Sequence, residues 1–266
     1  CLDEQEKYEQ SEPMFRECLA LNSAKLGKEH PDTLTSMNNI AVCLKHQQNY
    51  DEAEPMYREC LALRTVKLGK DHPDTLDSMN NLANCLDEQE KYDEAEQMYR
   101  VCLALRTVKL GKDHPNTLDS MSNLASCLKH QQKYDEAEPM YRECLALSTA
   151  KLGKEHPDTL GSMNNLARFL DKQEKYEQSE PMFIECLALR TAKLGKDHPD
   201  TLDSMENLAS CLDEQEKYDE AEPVYRECLI LSTAKLGKDH PDTLNCMNNL
   251  AICLDEQEKY DEAELV

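Results

Sequence analysis

The chain has 266 residues, a formal net charge of −23, 31% charged residues, 5% aromatics and no tryptophan. Nucleic acid is thereby excluded as a partner, because phosphate neutralisation needs a basic face and none is concentrated here; an anionic membrane surface is disfavoured for the same reason. No apolar run approaches the length of a membrane span and no signal peptide is recognisable.

A fixed period organises what remains. LGKEHP begins at Leu26 and Leu152, and LGKDHP at Leu68, Leu110, Leu194 and Leu236, each in register with a 42-residue repeat. Repeat arrays grow by unit, so one array is expected. It has a partial unit at 1–29, full units at 30–71, 72–113, 114–155, 156–197 and 198–239, and a partial unit at 240–266. Residue 1 is Cys and the chain closes on DEAELV inside a unit, so both ends are expected to be cuts through a longer array.

In the first full unit, Pro31 suits a first helical position, and Asp32 complements the positive end of the helix. Leu34, Met37, Ile40, Ala41 and Leu44 then recur at helical spacing, which predicts a helix A ending near Gln47. QNY makes the turn. Helix B opens at DEAEP, with Ala53, Met56, Tyr57, Cys60 and Leu61 as its apolar stripe. Leu68-Gly69 closes it, with Gly69 expected in the left-handed C′ conformation. LGKDHP is thus a helix stop followed by a helix start. Strand-like alternation is absent, and a helix pair cannot bury its stripe alone, so the expected fold is all-α with neighbouring pairs stacked.

The spacing Met37-x2-Ile40-Ala41-x2-Leu44 and Ala53-x3-Tyr57 reproduces the tetratricopeptide pattern. With the strings LGKDHP, NNLA and KYDEAEP, the whole chain resembles the 42-residue repeats of the kinesin light chain type. The resemblance implies a right-handed α-solenoid whose A helices line a concave ligand surface. Two positions depart from the wider pattern: Glu90 and its counterparts stand where glycine is usual in the turn, and Met37 and its counterparts where tryptophan is.

Thirteen cysteines follow the repeat. Cys43, Cys85, Cys127, Cys211 and Cys253 share one slot with Cys1. Cys18, Cys60, Cys102, Cys144, Cys186 and Cys228 share another, and Cys246 is the one stray. Packing thiols in a reducing cytoplasm are expected, without disulfides, metal or cofactor. His30, His72, His114, His156, His198 and His240 recur before proline as caps, with no close ligand spacing. Nearly every reactive side chain occurs five or six times, whereas a catalytic site is a unique constellation, so no enzyme is expected.

Differences between units point to function. One helix A slot reads Thr35, Asp77, Asp119, Gly161, Asp203, Asn245, and another reads Val42, Asn84, Ser126, Arg168, Ser210, Ile252, while the surface of helix B is nearly constant. Asn39, Asn81, Asn123, Asn165, Asn207 and Asn249 form a ladder on the variable face. The family resemblance implies that these amides hold an extended peptide backbone; the alternative is that each braces its neighbouring helix. Lys129, Arg168 and Lys172 are expected to form a positive island, with Asp203, Glu206 and Asp213 as an acidic end. Asp77, Asp119 and Asp203 oppose the carboxylate-clamp chemistry of chaperone-binding relatives. The expected function is non-catalytic protein or peptide binding, as an adaptor or scaffold. The alternatives are the ligand-sensing array of a larger signalling protein or an architectural spacer. Kinesin heavy chain or cargo association is implied by the resemblance alone, and no heptad segment for pairing with a motor chain is present.

Overall fold

The computed structural model describes residues 2–263, and Cys1 therefore lies outside the described residues. Thirteen helices succeed one another: α1 (Leu2–Leu26), α2 (Pro31–His46), α3 (Tyr50–Leu68), α4 (Pro73–Glu88), α5 (Tyr92–Leu110), α6 (Pro115–His130), α7 (Tyr134–Leu152), α8 (Pro157–Asp171), α9 (Tyr176–Leu194), α10 (Pro199–Asp213), α11 (Tyr218–Leu236), α12 (Pro241–Glu256) and α13 (Tyr260–Ala263). No strand occurs among the described residues. The even-numbered helices are the expected A helices and the odd-numbered ones from α3 to α11 the B helices, each beginning at the tyrosine one residue before the expected acidic start. None is long and apolar enough to cross a membrane. The helices pack as consecutive pairs of an α-solenoid. They group into two compact units, Asp3–Met140 and the described residues from Tyr141 onward.

Helix starts follow from the His-Pro step. In all six A helices the histidine Nδ1 accepts the backbone N–H two residues on, at 3.2 Å, as from Asp32 to His30 and from Asp200 to His198. Proline occupies N1, where its missing donor leaves no bond unmade. An Nδ1 that accepts carries no proton, so the capping tautomer is Nε2–H.

The A helices end in a Schellman motif. Asn49 N donates to Leu44 O at 2.8 Å and Gln48 N to Lys45 O at 2.9 Å, and the pattern returns at Lys91 and Glu90. The residue that must take positive φ is Gln48, Glu90, Gln132, Glu174, Glu216 or Glu258, each near +60°. These are the positions where glycine is usual, so the chain accepts a left-handed side-chain residue at every turn. That conformation costs an L-residue about 1–2 kcal/mol, of which glycine's greater unfolded-state entropy returns about half. Glu90→Gly and Gln132→Gly are each expected to raise stability by up to ~1 kcal/mol. Urea midpoints check this, and a fall in both variants contradicts it.

The B helices end differently from the expectation. Gly69 has φ 94° and ψ 158°, and Gly111, Gly195 and Gly237 match it. This is the extended mirror region open essentially to glycine alone, not the left-handed helical one. The chain leaves the helix extended because it must reach the next His-Pro start within four residues.

The core repeats with the sequence. Leu34, Ile40, Ala41, Leu44, Ala53, Tyr57 and Cys60 are at most 1% exposed. Ala41 and Ala53 let α2 and α3 approach closely. Cys60 Sγ donates to Leu34 O at 3.4 Å, and Cys102 and Cys186 repeat that bond. Burial, then the carboxylates of Asp87, Asp171 and Asp213, push the thiols of Cys127, Cys211 and Cys253 up to about 12. Such thiols are packing groups with little nucleophilic character.

The outer face of the B helices is a set of charge staples between units. Glu54 accepts from Arg58 at 2.8 Å on its own helix, and from Lys91 (2.7 Å) and Gln89 (3.0 Å) in the next turn. Arg58 also reaches Glu94 of α5 at 2.8 Å. Glu96 carries the same set, and Glu222 accepts from Arg226 at 2.8 Å and Lys259 at 2.6 Å. The near-constancy of helix B therefore has a structural cause: its surface residues hold neighbouring units together.

Candidate functional site

The helix A face of α2, α4 and α6 holds an open cleft of about 520 Å³. Thr35, Asn38, Asp77, Asn80, Asn81 and Asp119 come from the A helices. Arg64 and Arg106 enter from the B helices, and Asp74 and Asn116 from the helix starts. The lining is polar throughout, with both signs of charge.

The two arginines were not legible as site residues. Arg64 and Arg106 are 7% and 4% exposed, on α3 and α5. Arg64 Nη1 donates to Asp74 O and Ser78 Oγ, both at 2.9 Å, and Nη2 to Thr35 Oγ1 at 3.4 Å. Arg106 Nη1 donates to Asn116 O and Ser120 Oγ, both at 2.8 Å, and Nη2 pairs with Asp77. In the second compact unit, Arg190 makes the same bonds to Asp200 O (2.7 Å) and Ser204 Oγ (2.8 Å), but the slot matching Asp77 is Gly161. Arg190 turns instead to Asp203 at 3.3 Å. The signal lay in a varying helix B slot: Asn22, Arg64, Arg106, Ser148, Arg190, Ser232.

These guanidiniums change the reading of the acidic stripe. Asp77 and Asp203 are ion-paired to buried cations, so the stripe alternates in sign. Asp213 is half-buried beside Cys253, and burial raises its carboxyl above the usual range. Glu206 is half-buried against Cys246, at 2.6 Å, and is raised for the same reason. The expected acidic end is thus not an open charged surface: one carboxylate is paired and two are withdrawn into helix contacts. Further contacts occupy carboxylates late in the A helices, with Lys45 Nζ paired to Glu88 at 2.6 Å and His130 Nδ1 lying 3.3 Å from Asp87. Lys129 lies in the first compact unit, while Arg168 and Lys172 are exposed in the second, so the expected island is divided between the two. The variable slot of Val42 is also partly internal, since Asn84 Oδ1 accepts from the buried Tyr99 hydroxyl at 2.5 Å.

The asparagine ladder is bonded within the array. Asn81 Nδ2 donates to Asn38 Oδ1 at 3.2 Å, Asn123 to Asn80 at 3.4 Å, and Asn207 to Asn164 at 3.4 Å. The second asparagine of one unit thus braces the first of the unit before it. Asn39 and Asn249 are half-buried and Asn165 is exposed. A primary amide has two donor hydrogens and two acceptor lone pairs, so a brace leaves capacity for a ligand. Replacing Asn81, Asn123 and Asn207 with Ala is expected to lower stability by about 1 kcal/mol per position. An unchanged thermal midpoint in the triple variant contradicts the bracing role.

The tetratricopeptide repeat model matches residues 1–65, 36–107, 102–150, 116–176, 158–231 and 214–266. The chain belongs to the tetratricopeptide repeat family. Its fold is similar to that of a Podosopora anserina protein of nearly identical TPR-like repeats, described as a candidate kinesin light chain. The two share 23% identity over 78% of this chain and 98% of the other, with a TM-score of 0.66. BtubC (BKLC) from P. vanneervenii is 20% identical over 88% of this chain and 94% of its own, with a TM-score of 0.70. The quorum sensor NprR from B. thuringiensis is 13% identical over 96% of this chain and 80% of its own, with a TM-score of 0.65. No curated protein matches the chain.

Proposed function

We infer that the chain is a non-catalytic interaction scaffold that holds an extended peptide segment of a partner protein against its helix A face. The observation that carries this reading is the cleft along α2, α4 and α6. It offers amides able to pair with a peptide backbone, and three aspartates against two arginines. The excess carboxylate favours a peptide with at least one Lys or Arg above Asp77 and Asp119. In the second compact unit, exposed Arg168 and Lys172 on and just after α8 favour an acidic residue. The kinesin light chain-like fold supports a cytoplasmic adaptor. A solved complex of NprR with its cognate peptide NprX shares the architecture, with a TM-score of 0.58, and favours ligand sensing within a larger protein as the second reading.

A peptide-array screen on the purified chain identifies a binder. Asp119→Lys is then expected to weaken a Lys- or Arg-bearing peptide by about tenfold or more at low salt. The difference should shrink at physiological ionic strength, where exposed charges are screened beyond roughly 8 Å. Arg168→Glu should act likewise on an acidic peptide. Unchanged affinity in both folded variants at low salt contradicts the reading.

A further inference from the structure

One place in the array breaks the repeat three times at once. At the base of each full unit's neighbour contact, the B-helix cysteine faces a serine of the next A helix. Cys60–Ser78, Cys102–Ser120, Cys144–Ser162 and Cys186–Ser204 stand 3.5–3.8 Å apart. On α11 and α12 the serine is replaced by Cys246, and Cys228 Sγ lies 3.3 Å from Cys246 Sγ. The A-helix slot that holds Asn38, Asn80 and Asn164 elsewhere holds Glu206 on α10, whose Oε1 is 2.6 Å from Cys246 Sγ. The slot that supplies Arg64, Arg106 and Arg190 holds Ser232, whose Oγ is 3.6 Å from Cys246 Sγ. So where Arg64, Arg106 and Arg190 press a guanidinium against the serine, this place has two thiols and a carboxylate. Cys228 and Cys246 are 0% and 1% exposed.

We propose that Cys228, Cys246 and Glu206 form a binding site for a zinc-type divalent cation. The three ligand atoms lie within 4.8 Å of one another. Around tetrahedral zinc, with Zn–S of about 2.3 Å and Zn–O of about 2.1 Å, two sulfurs stand about 3.7 Å apart and a sulfur and an oxygen about 3.5 Å. From 3.3 Å between the sulfurs and 2.6 Å between Cys246 Sγ and Glu206 Oε1, these two pairs need to open by roughly 0.4 and 1 Å to reach that geometry. Each thiol gives its proton to solvent as its sulfur coordinates. The cation then takes the electrostatic place that Arg106 fills beside Asp77, and it neutralises a half-buried carboxylate whose partner is otherwise a thiol. Two thiolates select zinc over magnesium or calcium. Ser232 Oγ or water completes the fourth position.

The test uses the full chain, stripped of metal and kept reduced with a non-chelating phosphine so that no disulfide competes. Cobalt(II) is titrated as the spectroscopic probe, followed by zinc. The expected result is one cobalt per chain, a thiolate-to-cobalt charge-transfer band, bleaching of that band by zinc, and a raised thermal midpoint with metal. Cys246→Ser and Glu206→Asn restore residues that other units carry in the same slots, so the fold should hold, as circular dichroism will check. Cys246→Ser should abolish the band. Glu206→Asn should weaken binding by at least the roughly tenfold to hundredfold that loss of even an outer-sphere partner costs. Absence of stoichiometric uptake overturns the proposal. So does a cobalt spectrum unchanged in Cys246→Ser, which would place the metal on other thiols.

Discussion

Acidification from about pH 5 to about pH 2 is expected to weaken the array, with about 3 kcal/mol lost from three glutamate staples together. Glu54, Glu96 and Glu222 are held well below the usual carboxylate range, at about 2. At Glu54 and Glu96 burial opposes this shift, and the hydrogen bonds from Lys91 and Lys133 lead the groups that overcome it; at Glu222 the bond from Lys259 is the largest cause. A carboxylate whose folded pKa is depressed contributes stability that is present above its unfolded pKa and lost as pH falls through the folded one. The window therefore runs downward from the ordinary glutamate range to about 2. The glutamates are only 13–16% exposed, but their cationic partners are exposed by more than a third, so solvent screening reduces each staple to roughly 1 kcal/mol. Asp171, Asp213, Glu206 and Glu214 shift upward through burial and act in the opposite sense. Each of these loses its penalty on protonation, which softens the fall. Thermal midpoints measured against pH check the sign. A triple variant with Gln at Glu54, Glu96 and Glu222 should be less stable at neutral pH and show a flatter profile; parallel profiles for the two chains contradict the account.

The second large effect is expected from stripping the carboxylates around Arg106. Its side chain is 5% exposed, and a buried cation left without its counter-charge costs about 3–5 kcal/mol. Asp77→Ala alone should cost less, about 1 kcal/mol. The reason is visible at Arg190, where Gly161 stands in the matching slot and the guanidinium turns to the Asp203 carboxylate of the following A helix. Asp119 holds the equivalent place for Arg106. Asp77→Ala with Asp119→Ala should therefore cost about 3 kcal/mol, more than the two single changes together, because only the pair leaves the charge stranded. Adding Arg106→Ser, the residue of Ser148 and Ser232 in that slot, should return much of the loss. Urea unfolding of the four chains provides the cycle. Strict additivity contradicts the shared-cation account.

The helix pairs were legible in the sequence because their ends rest on residues with few conformational options. Pro31 fits N1, His30 caps, and the turn closes on a fixed backbone pattern. The departure from glycine at Glu90 correctly marked the position that takes positive φ. Gly69 was placed correctly as a stop but in the wrong region of backbone space, since a glycine alone does not say which positive-φ basin the next segment needs. The site was less legible. Arg64, Arg106 and Arg190 sit on helix B, and only tertiary packing shows that their long side chains cross to the helix A face. The asparagines read as a ladder with binding and bracing both open, because the 43-residue step between the bonded amides is one more than the repeat and the sequence does not show it. The constancy of helix B was visible in the sequence, but its cause, the charge staples between units, was not.

On the proposed function, ligand lies against the helix A face of α2, α4 and α6. The most direct measurement is photo-crosslinking with a peptide selected on this chain and carrying a photoreactive residue, mapped by mass spectrometry. Crosslinks are expected on Asn38, Asn80, Asn81, Asn116 or Asp119, and should be lost on competition with unlabelled peptide. Crosslinks confined to the stapled outer face, around Arg58, Arg100 and their glutamates, would contradict the claim.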